Sequence, residues 1–163
     1  MWLVGMMGSG KTRAGRIAAA SLGVAFADTD EQVELLAGQP LDRIWMTLGE
    51  QGFREVEREA IVRLADFEGI VATGGGVVVD PGNRGVMAPG TVVWLKASPE
   101  ELADRVVGEA GRRPLLRGDP VRTLRDLLES RETLYQKIAQ HEIDTEGLGL
   151  EEVAERIEAL WSG

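Results

Sequence analysis

The spacing of apolar and polar positions divides the chain into short strands separated by helices. An apolar run around Val4 predicts a first strand, followed by a helix from about Lys11 to Leu22 that stops at Gly23. Val24 to Ala27 predicts a second strand, broken at Asp28-Thr29-Asp30, where Asp30 is placed to cap a helix ending at Gly38. Helical spacing then runs from Leu41 to Leu48 and from Glu50 to about Phe67. Ile70 to Thr73 predicts a third strand, and a short helical piece surrounds Asn83 to Met87. Thr91 to Lys96 predicts a fourth strand, after which Ser98, Pro99 and Glu101 supply the cap, first-turn proline and box acid of a helix start. Gly108 to Pro120 mixes glycine, proline and arginine without a period and reads as a loop. A long helix covers about Val121 to Gln140, His141 to Asp144 predicts a fifth strand, and Leu150, Val153, Ile157 and Leu160 share one face of a last helix. Strands alternating with helices predict an α/β layer fold on a parallel sheet.

Composition narrows the class. A chain of 163 residues, 44% apolar, without a Pro- or Ser-rich linker, predicts one domain over residues 1–163. There is no cysteine, which excludes a disulfide framework or a thiolate metal site and suits a reducing cytosol. The start lacks the basic and apolar regions of a signal peptide, and no window approaches the ~20 apolar residues of a membrane span. The expectation is a soluble, untargeted cytoplasmic protein, monomeric and without a membrane partner. The net charge of −9 has the wrong sign for following a phosphate backbone, so no nucleic-acid partner is expected. Anionic ligands must then be held by a few local cations. Of 18 basic residues only Lys11, Lys96 and Lys137 are lysines.

Lys11 lies in Gly5-Met6-Met7-Gly8-Ser9-Gly10-Lys11-Thr12, the G-x-x-x-x-G-K-[ST] pattern after an apolar strand and before a helix, the context this phosphate-binding loop requires. The backbone N–H groups of Gly8, Ser9, Gly10, Lys11 and Thr12 form an anion nest at a helix N-terminus. Lys11 reaches the β- and γ-phosphates, and the Thr12 hydroxyl ligates Mg²⁺. Asp28 and Asp30 end the second strand, where ligands of open α/β sheets collect, and on an extended backbone they point the same way. Asp28 is placed to approach Mg²⁺ directly or through water, and Asp30 to accept a hydrogen bond or proton from an attacking hydroxyl. On these residues alone the alternative stays open, with Asp30 only a helix cap and Asp28 solvated.

Two arginines occupy positions where the helical pattern wants leucine. Arg131 falls within the stripe of Leu124, Leu128, Tyr135 and Ile138. A core-facing arginine needs an anionic partner, which can be a ligand or a structural ion pair. Phe53, Glu57, Ala60 and Leu64 form another stripe, with Arg54 three residues from Glu57 and four from Glu50. Arg54 and Arg131 could present planar forks to a substrate carboxylate, or Arg54 could simply pair with Glu57. Finally, Gly74, Gly75 and Gly76 follow the third strand in a row, which brings something close to the main chain there.

The phosphate-binding loop, Asp-Thr-Asp, Phe53-Arg54, the glycine triplet, Arg113-Pro114-Leu115-Leu116 and Arg131-x-x-x-Tyr135, in this order over Val4 to Trp161, resemble shikimate kinase. The resemblance implies a three-layer P-loop kinase fold of the nucleoside-monophosphate-kinase type, a five-stranded parallel sheet flanked by helices with a mobile lid over about 108–120. It also implies ATP-dependent phosphorylation of the shikimate 3-hydroxyl in aromatic amino acid biosynthesis, with ATP and Mg²⁺. Acceptor-binding helices cover about 31–67. Asp30, Arg54, Gly75 and Arg131 resemble the shikimate binders, Trp45 and Phe53 the apolar wall of that pocket, Glu57 the residue orienting Arg54, and Arg113 the lid arginine at the transferring phosphate. Gly74 to Gly76 let the main chain lie against the shikimate ring. Arg105 aligns with an adenine contact, while the loop after the fifth strand carries no basic counterpart. A gluconate-type kinase or a nucleotide-sensing module is the alternative. No N/T-K-x-D signature of a GTPase is present.

Overall fold

Residues 1–106 and 119–161 are described by the structure, a computed structural model. Five strands form one sheet: β1 (Trp2–Val4), β2 (Ala25–Asp28), β3 (Gly69–Ala72), β4 (Val92–Lys96) and β5 (His141–Asp144). Their order is β2-β3-β1-β4-β5, with every neighbouring pair parallel. The three central strands are buried on both faces, which is why they read as unbroken apolar runs rather than alternating ones. Helices α1 (Lys11–Leu22), α2 (Thr29–Ala37), α3 (Leu41–Arg63), α4 (Pro81–Met87), α5 (Pro99–Val106), α6 (Pro120–Ile138) and α7 (Leu150–Trp161) complete the layers, with a 3₁₀ turn at Val77–Val79. One core joins the sheet through Trp94 and Val71 to Leu102, Leu124 and Tyr135. The other joins Leu3, Ile70 and Leu95 to Ala14 of α1 and Ile157 of α7.

Several expected boundaries shift. The second strand ends one residue later, at Asp28, and the helix after it is capped by Asp28 rather than Asp30, with Asp28 Oδ1 accepting the Asp30 N–H at 2.8 Å. Asp30 therefore lies in a first helical turn, and the argument that two extended residues point alike does not apply to it. The expected helices from Leu41 and Glu50 form one run that breaks at Gly49, φ 68° and ψ −172°, and ends at Arg63 rather than Phe67. Ser98 caps α5 through the Glu101 N–H at 3.2 Å, as expected. The reciprocal acceptor is Glu146 of the loop after β5, which takes the Ser98 N–H at 2.9 Å, while Glu101 turns to Arg105. Asp119 and Pro120, expected to close the loop, are the cap and first residue of α6. The rest of the expected lid, with Arg113, lies outside the described residues.

Candidate active site

The loop between β1 and α1, the direct junction of β2 with α2 and the loop after β3 meet at the carboxyl ends of the central strands, where order in an open α/β sheet leaves a crevice. A cleft of about 330 Å³ opens there, within the range of small-molecule sites. Gly8 to Thr12 line it, together with Arg105, Leu148 and Leu150. Lys11 is buried, and its ammonium donates to the carbonyls of Gly5 at 2.9 Å and Met6 at 2.8 Å and to Ser9 Oγ at 3.3 Å. The loop thus holds its own cation in place. The Thr12 hydroxyl donates to Asp28 Oδ2 at 2.6 Å, which joins the two residues expected at a metal. The other Asp28 oxygen caps α2, so this buried carboxylate is held on both sides.

Arg105 lines this cleft, where it is braced. Its guanidinium donates to Glu101 Oε1 at 2.8 Å and 3.1 Å, to Thr145 Oγ1 at 3.0 Å and to the Thr145 carbonyl at 2.7 Å. In place of a basic residue from the loop after β5, the cleft receives the aliphatic Leu148 and Leu150.

A second, smaller cleft of about 130 Å³ adjoins the first, lined by Trp45, Phe53, Arg54, Glu57, Arg131 and the glycine triplet. Met7, Asp30, Gly74 and Gly75 border both. Trp45 and Phe53 stack with centroids 4.7 Å apart and planes 24° apart, joining the two halves of α3 across Gly49. Such a pair contributes about 0.5–1.5 kcal/mol beyond its buried area. Arg54 lies over both rings, 5.3 Å from the Phe53 centroid and 5.9 Å from that of Trp45, and donates to Glu57 Oε2 at 2.7 Å. Its Nε is buried without a partner, a donor that the fold leaves unused. Glu57 is 2% exposed; burial raises its pKa above the ordinary carboxylate value, and the charges of Arg54 and Arg131 oppose that rise. Arg131 is buried, with no carboxylate within ion-pair distance among the described residues, and gives one N–H to the Gly75 carbonyl at 3.2 Å. The structural ion pair that the sequence left open as an alternative is therefore seen for Arg54 with Glu57, and none is seen for Arg131 among the described residues.

The triplet's missing side chains have a specific cause. A Cβ at position 74 would lie 2.9 Å from Asp30 Oδ1 and 3.2 Å from Glu57 Oε1, and one at position 76 would lie 2.6 Å from an Arg54 nitrogen. At position 75 it would meet the Met7 backbone nitrogen at 3.1 Å. The bare backbone admits the site's own side chains and the phosphate-binding loop, a closer set of neighbours than the ligand alone expected from the sequence. The roles of two further residues, both within motifs already noted, escaped the sequence reading. Thr29, fully buried between the two aspartates, accepts the Gly74 N–H at 2.9 Å, and the Tyr135 hydroxyl donates to the Gly75 carbonyl at 2.5 Å. The signal for the first was a hydroxyl between two acids. For the second it was the four-residue step from Arg131, which puts both on one helix face.

The family model for shikimate kinase matches residues 7–161. A shikimate kinase of Synechococcus sp. (strain RCC307) is 42% identical over 159 residues, covering 96% of this chain and 81% of the relative. One from Symbiobacterium thermophilum is 44% identical, covering 95% and 91%. The solved shikimate kinase of Acinetobacter baumannii in complex with shikimate superposes with a TM-score of 0.92 at 36% identity, covering 99% of this chain and 91% of that one. A gluconokinase from Sinorhizobium meliloti 1021, at 22% identity and a TM-score of 0.64, shares the fold.

Proposed function

The chain belongs to the shikimate kinase family, and on that premise we propose that it transfers the γ-phosphoryl group of ATP to the 3-hydroxyl of shikimate, releasing shikimate 3-phosphate and ADP. The observation that carries the reading is the wall shared by the two clefts. Met7, Asp30, Gly74 and Gly75 border both the phosphate-binding loop and the arginine-lined pocket, so donor and acceptor meet at one boundary.

On this reading the loop N–H groups of Gly8 to Thr12 hold the phosphates, and Lys11 supplies positive charge to the β- and γ-oxygens as the bond to the leaving oxygen breaks. Arg105 lies beside the nucleotide base. Arg54 and Arg131 present their forks to the shikimate carboxylate, Glu57 aligns Arg54, and Trp45 and Phe53 face the ring. The Gly74 to Gly76 backbone lies against the acceptor. The 3-hydroxyl oxygen bonds to the γ-phosphorus while its proton passes to, or is directed by, Asp30. Arg113 is assigned to the transferring phosphate. Thr12 and Asp28 offer adjacent hard oxygens, a donor set that fits Mg²⁺ supplemented by phosphate oxygens. When bound, the ion neutralises charge on the β- and γ-phosphates. We read the protein as a cytoplasmic monomer with small-molecule partners alone.

The test measures ADP release with shikimate, with gluconate and with neither. Turnover that depends on shikimate, and is poor with its carboxyl ester, is the expected result. Equal ADP release in all arms would remove the kinase reading.

A further inference from the structure

The chain has one tyrosine, and the chemistry above gives it no role. Tyr135 is fully buried, with its ring stacked on Trp94 at 5.5 Å between centroids and 17° between planes. Its hydroxyl ends against Gly75, a residue that lines both clefts. It donates to the Gly75 carbonyl at 2.5 Å and lies 3.6 Å from Met6 Sδ of the phosphate-binding loop. Arg131, one turn earlier on α6, reaches the same carbonyl at 3.2 Å. One acceptor oxygen thus receives a rigid neutral donor and a long charged one.

The two donors differ in what they can set. The phenol is locked by its stack on Trp94 and has two rotatable bonds, whereas the arginine has four and follows its partners. Burial raises the phenol's pKa, which keeps it a protonated donor. The peptide between Gly75 and Gly76 has no side chain on either residue to restrain it, so its plane must be set from outside. Because that peptide is planar and trans, orienting the Gly75 carbonyl toward α6 also turns the Gly76 N–H the opposite way.

We propose that Tyr135 is a positioning residue for the acceptor: through the Gly75 carbonyl it sets the 75–76 peptide plane and the resting place of the Arg131 guanidinium in the smaller cleft. The proposal rests on reading that cleft as the shikimate site. It separates Tyr135 from a residue that merely fills the core, because its hydroxyl then controls acceptor affinity while leaving the nucleotide side alone.

Tyr135→Phe keeps the ring and its stack and removes the hydroxyl. The expected result is a rise of roughly three- to tenfold in KM for shikimate, the scale of one lost net hydrogen bond, with KM for ATP within about twofold of wild type and kcat changed less than KM. A variant that melts earlier yet binds shikimate as wild type does overturns the proposal, since a structural hydroxyl moves melting without moving acceptor affinity. Should Tyr135→Phe fail to fold, the unsubstituted sequence carries a second readout. Biosynthetic 3-fluorotyrosine labels position 135 alone, and saturating shikimate is expected to shift its fluorine resonance. A resonance that shikimate leaves unmoved overturns the proposal. Wild-type protein without shikimate-dependent turnover removes the parent reading, and this one falls with it; wild-type turnover with an unaffected variant removes this inference alone.

Discussion

Lys11 has two kinds of partner to lose. In the structure its ammonium donates to the Gly5 and Met6 carbonyls, and the Met6 carbonyl also accepts the Ser9 N–H at 3.2 Å, so Lys11→Met deprives mainly the Gly5 carbonyl of its donor and destabilises the loop by about 1–3 kcal/mol. The loss in the phosphoryl-transfer step is larger, because the charge acts where the transition state gathers negative charge. Lys11→Met is expected to keep its circular dichroism and fall below about a tenth of wild-type kcat; a folded variant above that level contradicts the role. Arg131→Ala is expected to weaken shikimate by about 2–5 kcal/mol, roughly thirty- to several-thousand-fold, and ATP far less. Tyr135 still holds the Gly75 carbonyl in that variant, so the backbone keeps a donor. Arg131→Lys should not restore affinity, since a point charge does not replace a fork, and equal effects on both KM values would make Arg131 structural. Glu57 supplies a pH test. Its folded-state pKa is raised, chiefly by burial, so its contribution to stability is present below the ordinary carboxylate range and is lost as pH rises through the raised value. The melting temperature of wild type minus that of Glu57→Gln should therefore fall from about pH 4 to about pH 7. A difference that grows over that range would show the Arg54 pair outweighing burial.

Among the elements, α3 depends most on a single backbone position. At φ 68° and ψ −172°, Gly49 occupies a region that other residues adopt only under strain of about 1–3 kcal/mol, yet nothing lies within 4 Å of where its Cβ would be. Gly49→Ala should lower the melting temperature by about 2–12 °C through the backbone alone. Gly85, helical in α4 with equally open space, provides the opposite sign: Gly85→Ala should stabilise by up to about 1 kcal/mol. If Gly49→Ala raises melting as Gly85→Ala does, the break at Gly49 is not a strained joint. The sequence announced the two helices on either side of Gly49, because the apolar period restarts there, and the phosphate-binding loop, because its residues are contiguous. Arg54, Glu57 and Arg131 were also legible, each a charge within an apolar stripe. What local pattern could not show were partners distant in sequence. Glu146 completes the α5 cap from 48 residues away, Thr29 holds Gly74 across 45, and Tyr135 holds Gly75 across 60. Asp28 took the capping role expected of Asp30 because the strand runs one residue further, a shift that periodicity does not resolve.

At the scale of the whole molecule, the apolar core is unevenly shared. Two clusters cover the two faces of the sheet, whereas α2 and α3 enclose a third, smaller one of Val33, Ile44, Phe53 and Ala60. The same helices leave Leu35, Met46 and Leu48 on the surface, at 73%, 82% and 50% exposure. α2 packs chiefly on α3 rather than on the sheet. A unit with few buried apolar partners opens locally at a lower free energy than the sheet, and binding elements are drawn from that end of the stability range. Leu41, Trp45 and Phe53 of this unit line the smaller cleft, so an acceptor placed there adds buried contacts where the fold has fewest. Hydrogen exchange should therefore show the amides of α2 and of α3 up to Leu48 exchanging well ahead of β1, β3 and β4. Shikimate should slow the helical set selectively, and ADP alone should leave it nearly unchanged, because ligand contacts stabilise only the states that retain them. Exchange of both sets at one common rate would instead mean that the acceptor helices and the sheet open as a single cooperative unit, and that acceptor binding draws on no local reserve of flexibility.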